Sequence, residues 1–466
     1  MGRDYPRAPL CRSINDNPAM HPKALLDHCA ELIAQTLTFA HPADATVSQY
    51  CREQRSLGSR ERPLLADAVY TLLREKPLLE WLLRKLPAPK TAPPAPQKPP
   101  RPAKGAKPAP APSTKARALA LLALRRQTGF LAQAATPEEL AWLESCLALE
   151  ANPPADQPAA CRHGLPDWLA AALQAEVGAD FDALAAALKE GAPLDLRVNP
   201  LKAKRAAVQQ QLADAGIAST PTPYSPWGLR LAGKAALQQL PCYQDGSIEV
   251  QDEGSQLLAL LLDAKRNELV VDFCAGAGGK TLALGAAMRN TGRLYAFDNS
   301  AHRLEALQPR LQRSGLGNVP PMAIAHERDA RLDRLVGKAD RVLVDAPCSG
   351  LGTLRRSPDL KWRQSEAGIA ELAELQARIL ESAARLVKPG GRLVYATCSL
   401  LREENEAVAA AFSAAQRDFV ALPAGELLAR AGVESAAALV RGDHLRLWPH
   451  RHASDGFFAA AWQRKF

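Results

Sequence analysis

The sequence predicts an α/β protein. Its main domain is expected to be a doubly wound, mostly parallel sheet, preceded by a small mixed α/β extension and an all-α N-terminal region. Three features point to this. From Leu269 onward, strand-like apolar runs alternate with helical segments, the pattern of a parallel sheet with crossover helices. The first run, LVVDFC, opens into the Gly-rich turn AGAGGKT and then a helix-like TLALGAAM. Before residue 160, by contrast, apolar residues recur at helical spacing, with Arg and Glu between them.

At 466 residues the chain should hold on the order of two to four domains, and 47% apolar content supports sizeable cores. Residues 1–19 show no periodicity and are expected to be disordered, with Met20 an alternative start. Residues 20–160 read as a helical domain carrying a Pro/Ala/Lys-rich insertion over 87–114, which cannot form a core and should be extended; a domain boundary there is the alternative. Residues 161–250 read as mixed α/β. They begin with the helical LPDWLAAALQAEVG, continue through LDLRVNPLKAKRAAVQQQLADAGI and end with GSIEV. Within them, Arg197, Lys202, Lys204 and Arg205 would suit a phosphate backbone or a solvated face.

Residues 251–466 form the parallel-sheet domain. Its strands are LVVDFC, RLYAFD, MAIAH, RVLVDAP and GRLVYATCS, with SDGFFAA as the last. Each long apolar run is what a strand buried on both faces requires.

The formal charge of +9 is concentrated. Between Trp81 and Pro137 there are 11 Lys/Arg and no Asp/Glu, and the other residues carry 47 basic against 49 acidic groups. Such a segment would attract nucleic acid at long range, or serve only as a solvated linker. Nine cysteines without a C-x-x-C pair suggest neither a disulfide framework nor a zinc site, so no metal is expected. No run is long enough to cross a membrane and no secretory segment is visible, so the expected location is the cytoplasm.

The Gly-rich turn is the centre of the chemistry. It is not a Walker A loop, because Cys274 stands where the first Gly belongs. Nor does it complete the dinucleotide pattern, since Gly276 and Gly278 begin it but Thr281 ends it. It is read as a nucleotide cradle formed by Cys274, Ala275, Gly276, Ala277, Gly278, Gly279 and Lys280. Asp298, 20 residues after Gly278 at the end of the next strand, suits the two hydroxyls of a ribose. Asp329, near Glu327, is a candidate acceptor for an adenine amino group. The fourth strand ends in Asp345-Ala346-Pro347-Cys348 and the fifth in Tyr395-Ala396-Thr397-Cys398, so an acid and two thiols should meet beside the cofactor.

VDFCAGAGGKT, VDAPCSGLGTLRR, YATCSLLREENE and SDGFFAA resemble the RNA cytosine-5 methyltransferases of the Sun/Fmu (RsmB-like) family, over roughly Leu194 to the C-terminus. The N-terminal half also resembles a NusB-like RNA-binding domain. Gly276 and Ala277 replace the Ala and Pro usual in that family's turn, and the Gly usual before Asp329 is missing. The resemblance implies a class I (Rossmann-like) fold, S-adenosylmethionine as methyl donor and RNA as partner, with 16S rRNA expected and tRNA or another RNA the alternative. It implies that Cys398 attacks cytosine C6, that Cys348 helps remove the C5 proton or release product, and that Asp345 contacts the N3 edge and the cofactor.

Adding a thiolate to C6 turns a poor carbon nucleophile into an enamine-like one, which is covalent catalysis. A base reaching two sheet tips must leave its stack, so loop or single-stranded RNA is the natural substrate. Arg355, Arg356, Lys361, Trp362 and Arg363 could hold it, with ordinary packing the alternative for Trp362, and His450, Arg451 and His452 read equally as surface residues or as RNA contacts. A monomer is expected. The competing function is a non-catalytic RNA-binding assembly factor, which would have no need of two thiols.

Overall fold

In the computed structural model, residues 20–89, 113–233 and 235–466 are described. The first 19 residues and nearly all of the Pro-rich insertion lie outside them. The chain divides into two compact units, Met1–Gly164 and Leu165–Phe466.

The described part of the first unit is helical, for a local reason. In the helix Pro22–Thr36, Leu25, Leu26, Cys29, Leu32 and Ile33 fall on one stripe and are buried, and the longer helix Glu61–Lys85 buries Leu65, Val69, Leu72 and Leu73 in the same way. The helix Pro137–Ala151 starts with Pro at its first turn and a capping box between Thr136 and Glu139, which satisfies two otherwise orphaned N–H groups. Arg117 joins Asp27 (2.5 Å) to Glu139 (2.6 Å), and buried Arg125 joins Glu75 (2.5 Å) to Glu150 (2.7 Å).

The second unit holds two sheets. After the helices Asp167–Val177 and Phe181–Lys189 comes β1 (Leu194–Val198), then β2 (Ser219–Pro221), β3 (Gly228–Leu231) and β4 (Ile248–Val250). These four pair antiparallel in the order β2-β3-β1-β4.

The larger sheet is built from β5 (Leu269–Asp272), β6 (Arg293–Asp298), β7 (Pro321–Ala323), β8 (Ala339–Asp345), β9 (Val387–Thr397), β10 (Phe419–Leu422), β11 (Val440–Arg441), β12 (His444–Leu447) and β13 (Phe457–Arg464). Its order is β11-β12-β13-β9-β8-β5-β6-β7, with β10 on β13. The strands from β7 to β9 are parallel. β13 runs antiparallel to β9 and carries the other antiparallel strands beyond it. One core cluster joins Leu257, Leu261, Leu282 and Leu307 to Leu343 of β8, and another joins Leu380 and Phe412 to Val342 and Val344 of the same strand, so the sheet is buried on both faces. That two-sided burial is why β5, β6, β8 and β9 read as apolar runs.

The chain order reverses direction at β5, which lies between β6 and β8. In a doubly wound sheet the crevice at such a switch point, beyond the carboxyl ends of the strands, is where ligands bind. Among the described residues, no helix is long and apolar enough to cross a membrane.

Candidate active site

The turn after β5 uses its glycines for different purposes. Gly276 has φ +55°, and a Cβ there would meet nothing within 4 Å, so it borders open space. Its N–H donates to Asp298 Oδ2 at 2.8 Å, and Ser300 N–H donates to Oδ1 at 2.8 Å. Asp298 is thereby fixed between the turn, through Oδ2, and its own following loop, through Oδ1. Gly278, at φ +84°, faces the other way, and a Cβ there would sit 2.1 Å from Leu307 Cδ1. From behind, Arg310 donates to the carbonyl of Ala277, and buried Arg197 donates to that of Gly279 at 3.3 Å.

The tips of β8 and β9 bring the two thiols together. Cys348 Sγ and Cys398 Sγ lie 3.3 Å apart, and the Cys398 N–H donates to Cys348 Sγ at 3.3 Å. Both residues are half-buried. Asp345 accepts from Lys280 Nζ at 2.7 Å. Burial works to lower the Lys280 ammonium, but the charge and hydrogen bond of Asp345 outweigh it and hold the group above its ordinary value, with Cys398 adding to the effect. The hydrogen bond with Cys398, reinforced by burial, pushes the Cys348 thiol well above the usual cysteine range. Burial likewise raises Cys274, and it lifts the Asp272 carboxyl to about 7. Asp272 lies beneath the turn, accepting from Thr281 Oγ1 at 2.7 Å, while its Oδ1 is buried without a partner.

A cavity of about 520 Å³ opens at this point. The turn lines it through Cys274–Ala277, Gly279 and Lys280, with Asp298, Asp345, Cys348 and Cys398 around them. Its size is in the range of small-molecule sites. The fit to a nucleoside cofactor rests on the unobstructed face at Gly276, the buried carboxylate of Asp298 and the apolar walls at Leu375 and Ile379. No group of three or more His, Cys, Asp or Glu able to hold a metal occurs among the described residues.

Several expectations need correction. Asp329 does not line the cavity. Its carboxylate accepts from the N–H groups of Ala325 (2.9 Å) and Arg331 (3.0 Å) and from the Arg331 guanidinium (2.5 Å), so it caps a local turn and has little left for an adenine. Those bonds, the Arg331 guanidinium foremost, hold it below the usual carboxylate range. Gly278 is in the turn but not on the cavity wall.

The basic residues after Cys348 form no RNA-facing row. Lys361 is 2% exposed, and Arg355 is buried and donates to Gly191 O at 3.1 Å. Arg356 bridges Asp455 (2.6 Å) and Asp252 (2.9 Å), and Arg363 pairs with Asp359. Adjacency in sequence does not put side chains on one face once the loop coils. Arg197 is buried behind the turn, Lys202 donates to the carbonyls of Asp245 and Arg313, and Arg205 donates to Ser225 O. Arg451 pairs with Asp180, and His452 accepts from Trp448 N–H at 2.8 Å.

Sequence reasoning passed over the residues that frame the thiols. Ser349 and Ser399 each follow a cysteine, and both converge on the buried Glu404. The available signal was a repeat, Cys-Ser-x-Leu, at 348–351 and 398–401. Asn299, Arg303 and His326 also line the cavity.

Residues 259–463 match the family model described as 16S rRNA methyltransferase RsmB/F, and residues 165–238 match that of the ferredoxin-like domain of RsmF/B-like methyltransferases. A "Probable ribosomal RNA small subunit methyltransferase B" of Synechocystis sp. is 40% identical over 304 residues, 64% of this chain and 66% of that one. A protein of the same description from Bacillus subtilis is 37% identical over 276 residues, 58% of this chain and 59% of its own. The match thus spans less than two thirds of these relatives' length. A solved methyltransferase homolog of Pyrococcus horikoshii is 30% identical with a TM-score of 0.56, covering 66% of this chain and 97% of that one. The structure of PH0851 is 26% identical with a TM-score of 0.73, covering 96% and 99%.

Proposed function

The chain belongs to the Sun/Fmu family, the RsmB/F methyltransferases, and from that premise we propose that it transfers a methyl group from S-adenosylmethionine to C5 of a cytosine in 16S rRNA. The reaction would proceed through a covalent bond between Cys398 and C6. The observation that carries this reading is the 3.3 Å separation of two thiols facing the same cavity as the Gly turn and Asp298.

S-adenosylmethionine would be held by the turn and by Asp298, and would supply an electrophilic methyl group. The remaining work belongs to the chain. Cys398 adds to C6, raising electron density at C5. Asp345, with Oδ2 on Lys280, has its other oxygen for the N3 edge. After methylation the C5 proton must leave and the Cys398–C6 bond must break. Cys348 suits this step for an electrostatic reason. Its largest upward influence is the neighbouring Cys398 sulfur. Once the Cys398 sulfur is bonded to carbon, the hydrogen bond that holds the Cys348 proton is weakened, so Cys348 ionises more readily when a base is needed.

The experiment is transfer of labelled methyl to 16S rRNA and to tRNA by wild-type protein and by Cys398→Ala. The variant is expected to lose at least about 10⁴-fold in rate, since removing a covalent nucleophile leaves only binding and positioning. Wild-type turnover by Cys398→Ala overturns the nucleophile assignment, and transfer to tRNA alone moves the substrate.

A further inference from the structure

Glu404 lies in the 3-10 turn Arg402–Glu404 and is fully buried, yet it does not line the cavity. Its carboxylate accepts four hydrogen bonds. Oε1 takes the Ser349 N–H at 2.8 Å and Gln376 Nε2 at 3.0 Å. Oε2 takes the hydroxyls of Ser349, at 2.6 Å, and of Ser399.

The two hydroxyls are placed alike. Ser349 Oγ accepts from Leu351 N–H at 3.4 Å and Ser399 Oγ from Leu401 N–H at 3.1 Å; the two hydroxyls lie 3.3 Å from each other, and Glu404 Oε2 is the nearer acceptor for both. Ser349 directly follows Cys348, and Ser399 directly follows Cys398. One carboxylate therefore clamps both loops one residue beyond their sulfur atoms. Gln376 extends the clamp by donating to Pro347 O at 3.0 Å, just before Cys348.

We propose that Glu404 is a positioning residue that sets the gap between the Cys348 and Cys398 sulfurs, so that one thiol can act on the adduct formed by the other. The proposal deepens the methyl-transfer reading and rests on it for its functional meaning. Its geometric content stands apart. All four contacts on the Glu404 carboxylate are donated to it, and a neutral amide in its place takes the charge out of those bonds and replaces one acceptor oxygen by an NH2 that must face either the two hydroxyls or the Ser349 N–H and the Gln376 amide. The serine loops would then separate.

The test uses the full-length protein and Glu404→Gln. Diamide, a diazene oxidant, takes the two thiol hydrogens and is reduced to its hydrazine as the Cys348–Cys398 disulfide closes. Peptide mapping by mass spectrometry follows that closure against time. The gap is expected to widen, and closure to slow by at least about tenfold, in keeping with one lost hydrogen bond to a charged group. Methyl transfer to 16S rRNA should fall by about 100-fold, the effect of a misplacement of about an ångström. S-adenosylmethionine binding, measured by equilibrium dialysis, should not change.

Closure at the wild-type rate in Glu404→Gln overturns the proposal. If Glu404→Gln does not fold, Ser349→Ala removes one arm of the clamp and must slow closure in the same direction, and unchanged closure there also overturns it. If wild-type protein transfers no methyl group, the function proposed above fails, while the closure rates still decide what Glu404 does.

Discussion

At the scale of single residues, the two cysteines differ in what their neighbours do to them. Cys348 sits against the Cys398 sulfur and accepts its N–H. If Cys348 is the group that completes the reaction, Cys348→Ala should stop it after the covalent step. Incubation with 16S rRNA and methyl donor should give a slow-migrating protein–RNA species on a denaturing gel, absent in the Cys348→Ala, Cys398→Ala double variant. Lack of that species in the single variant counts against the two-thiol scheme. These cysteines, with Asp298 and Asp345, were legible in the sequence because each lies at a strand's end or within three residues beyond it, and a strand end in a doubly wound sheet has a known location. Asp329 and Lys361 were not legible in the same way. Whether a polar side chain meets solvent, a ligand or its own loop depends on backbone turns of a few residues, and here Arg331 occupies Asp329 while Lys361 folds inward over Trp362 at 5.2 Å.

At the scale of elements, the turn between β5 and the helix Gly279–Ala287 is the sensitive piece. Gly278→Ala would force a side chain into the left-handed region and toward Leu307. Strain and overpacking together should cost about 2–5 kcal/mol, read as a lower Tm with a matching loss of cofactor affinity. Gly276→Ala, which faces open space, keeps only the backbone strain and should cost less. β5, β6, β8 and β9 were visible because burial on both faces makes them uninterrupted apolar runs. β10, β11 and β12 were not, because they are short, stand toward an edge and mix residues such as His444 and Arg446 with leucines. β10 and β12 are paired by β13, and β11 is paired by β12.

At the scale of the whole molecule, two buried carboxyls tie stability to pH. Burial raises both Asp272 and Asp455 to about 7. The folded chain therefore keeps protons that the unfolded chain releases near pH 4. Stability from these groups is full below that point and falls as pH rises toward 7. Asp272→Asn, neutral throughout, should remove its share, at most about 4 kcal/mol between pH 4 and pH 8, and leave the share of Asp455. Denaturant titrations at several pH values measure it, and an unchanged pH slope in the variant contradicts the burial argument. The basic segment makes a separate prediction. Deleting residues 87–112 should weaken binding to 16S rRNA chiefly at low salt, with a shallower dependence of log affinity on log salt. An unaltered slope makes the segment a passive linker.

By itself, the sequence determined the alternation of strands and helices, the place of the Gly turn and the positions of both cysteines. These follow from local periodicity and from residue types that only one backbone geometry accommodates. Tertiary structure alone decided that the sulfurs lie within van der Waals reach, that Glu404 ties their loops together, and that most of the nearby arginines are spent on internal carboxylates and carbonyls. The reason is physical. Burial and electrostatic pairing depend on distances between segments that are about 50 or more residues apart in the chain, as Cys348 is from Cys398 and Arg356 from Asp252, and no local pattern encodes such distances.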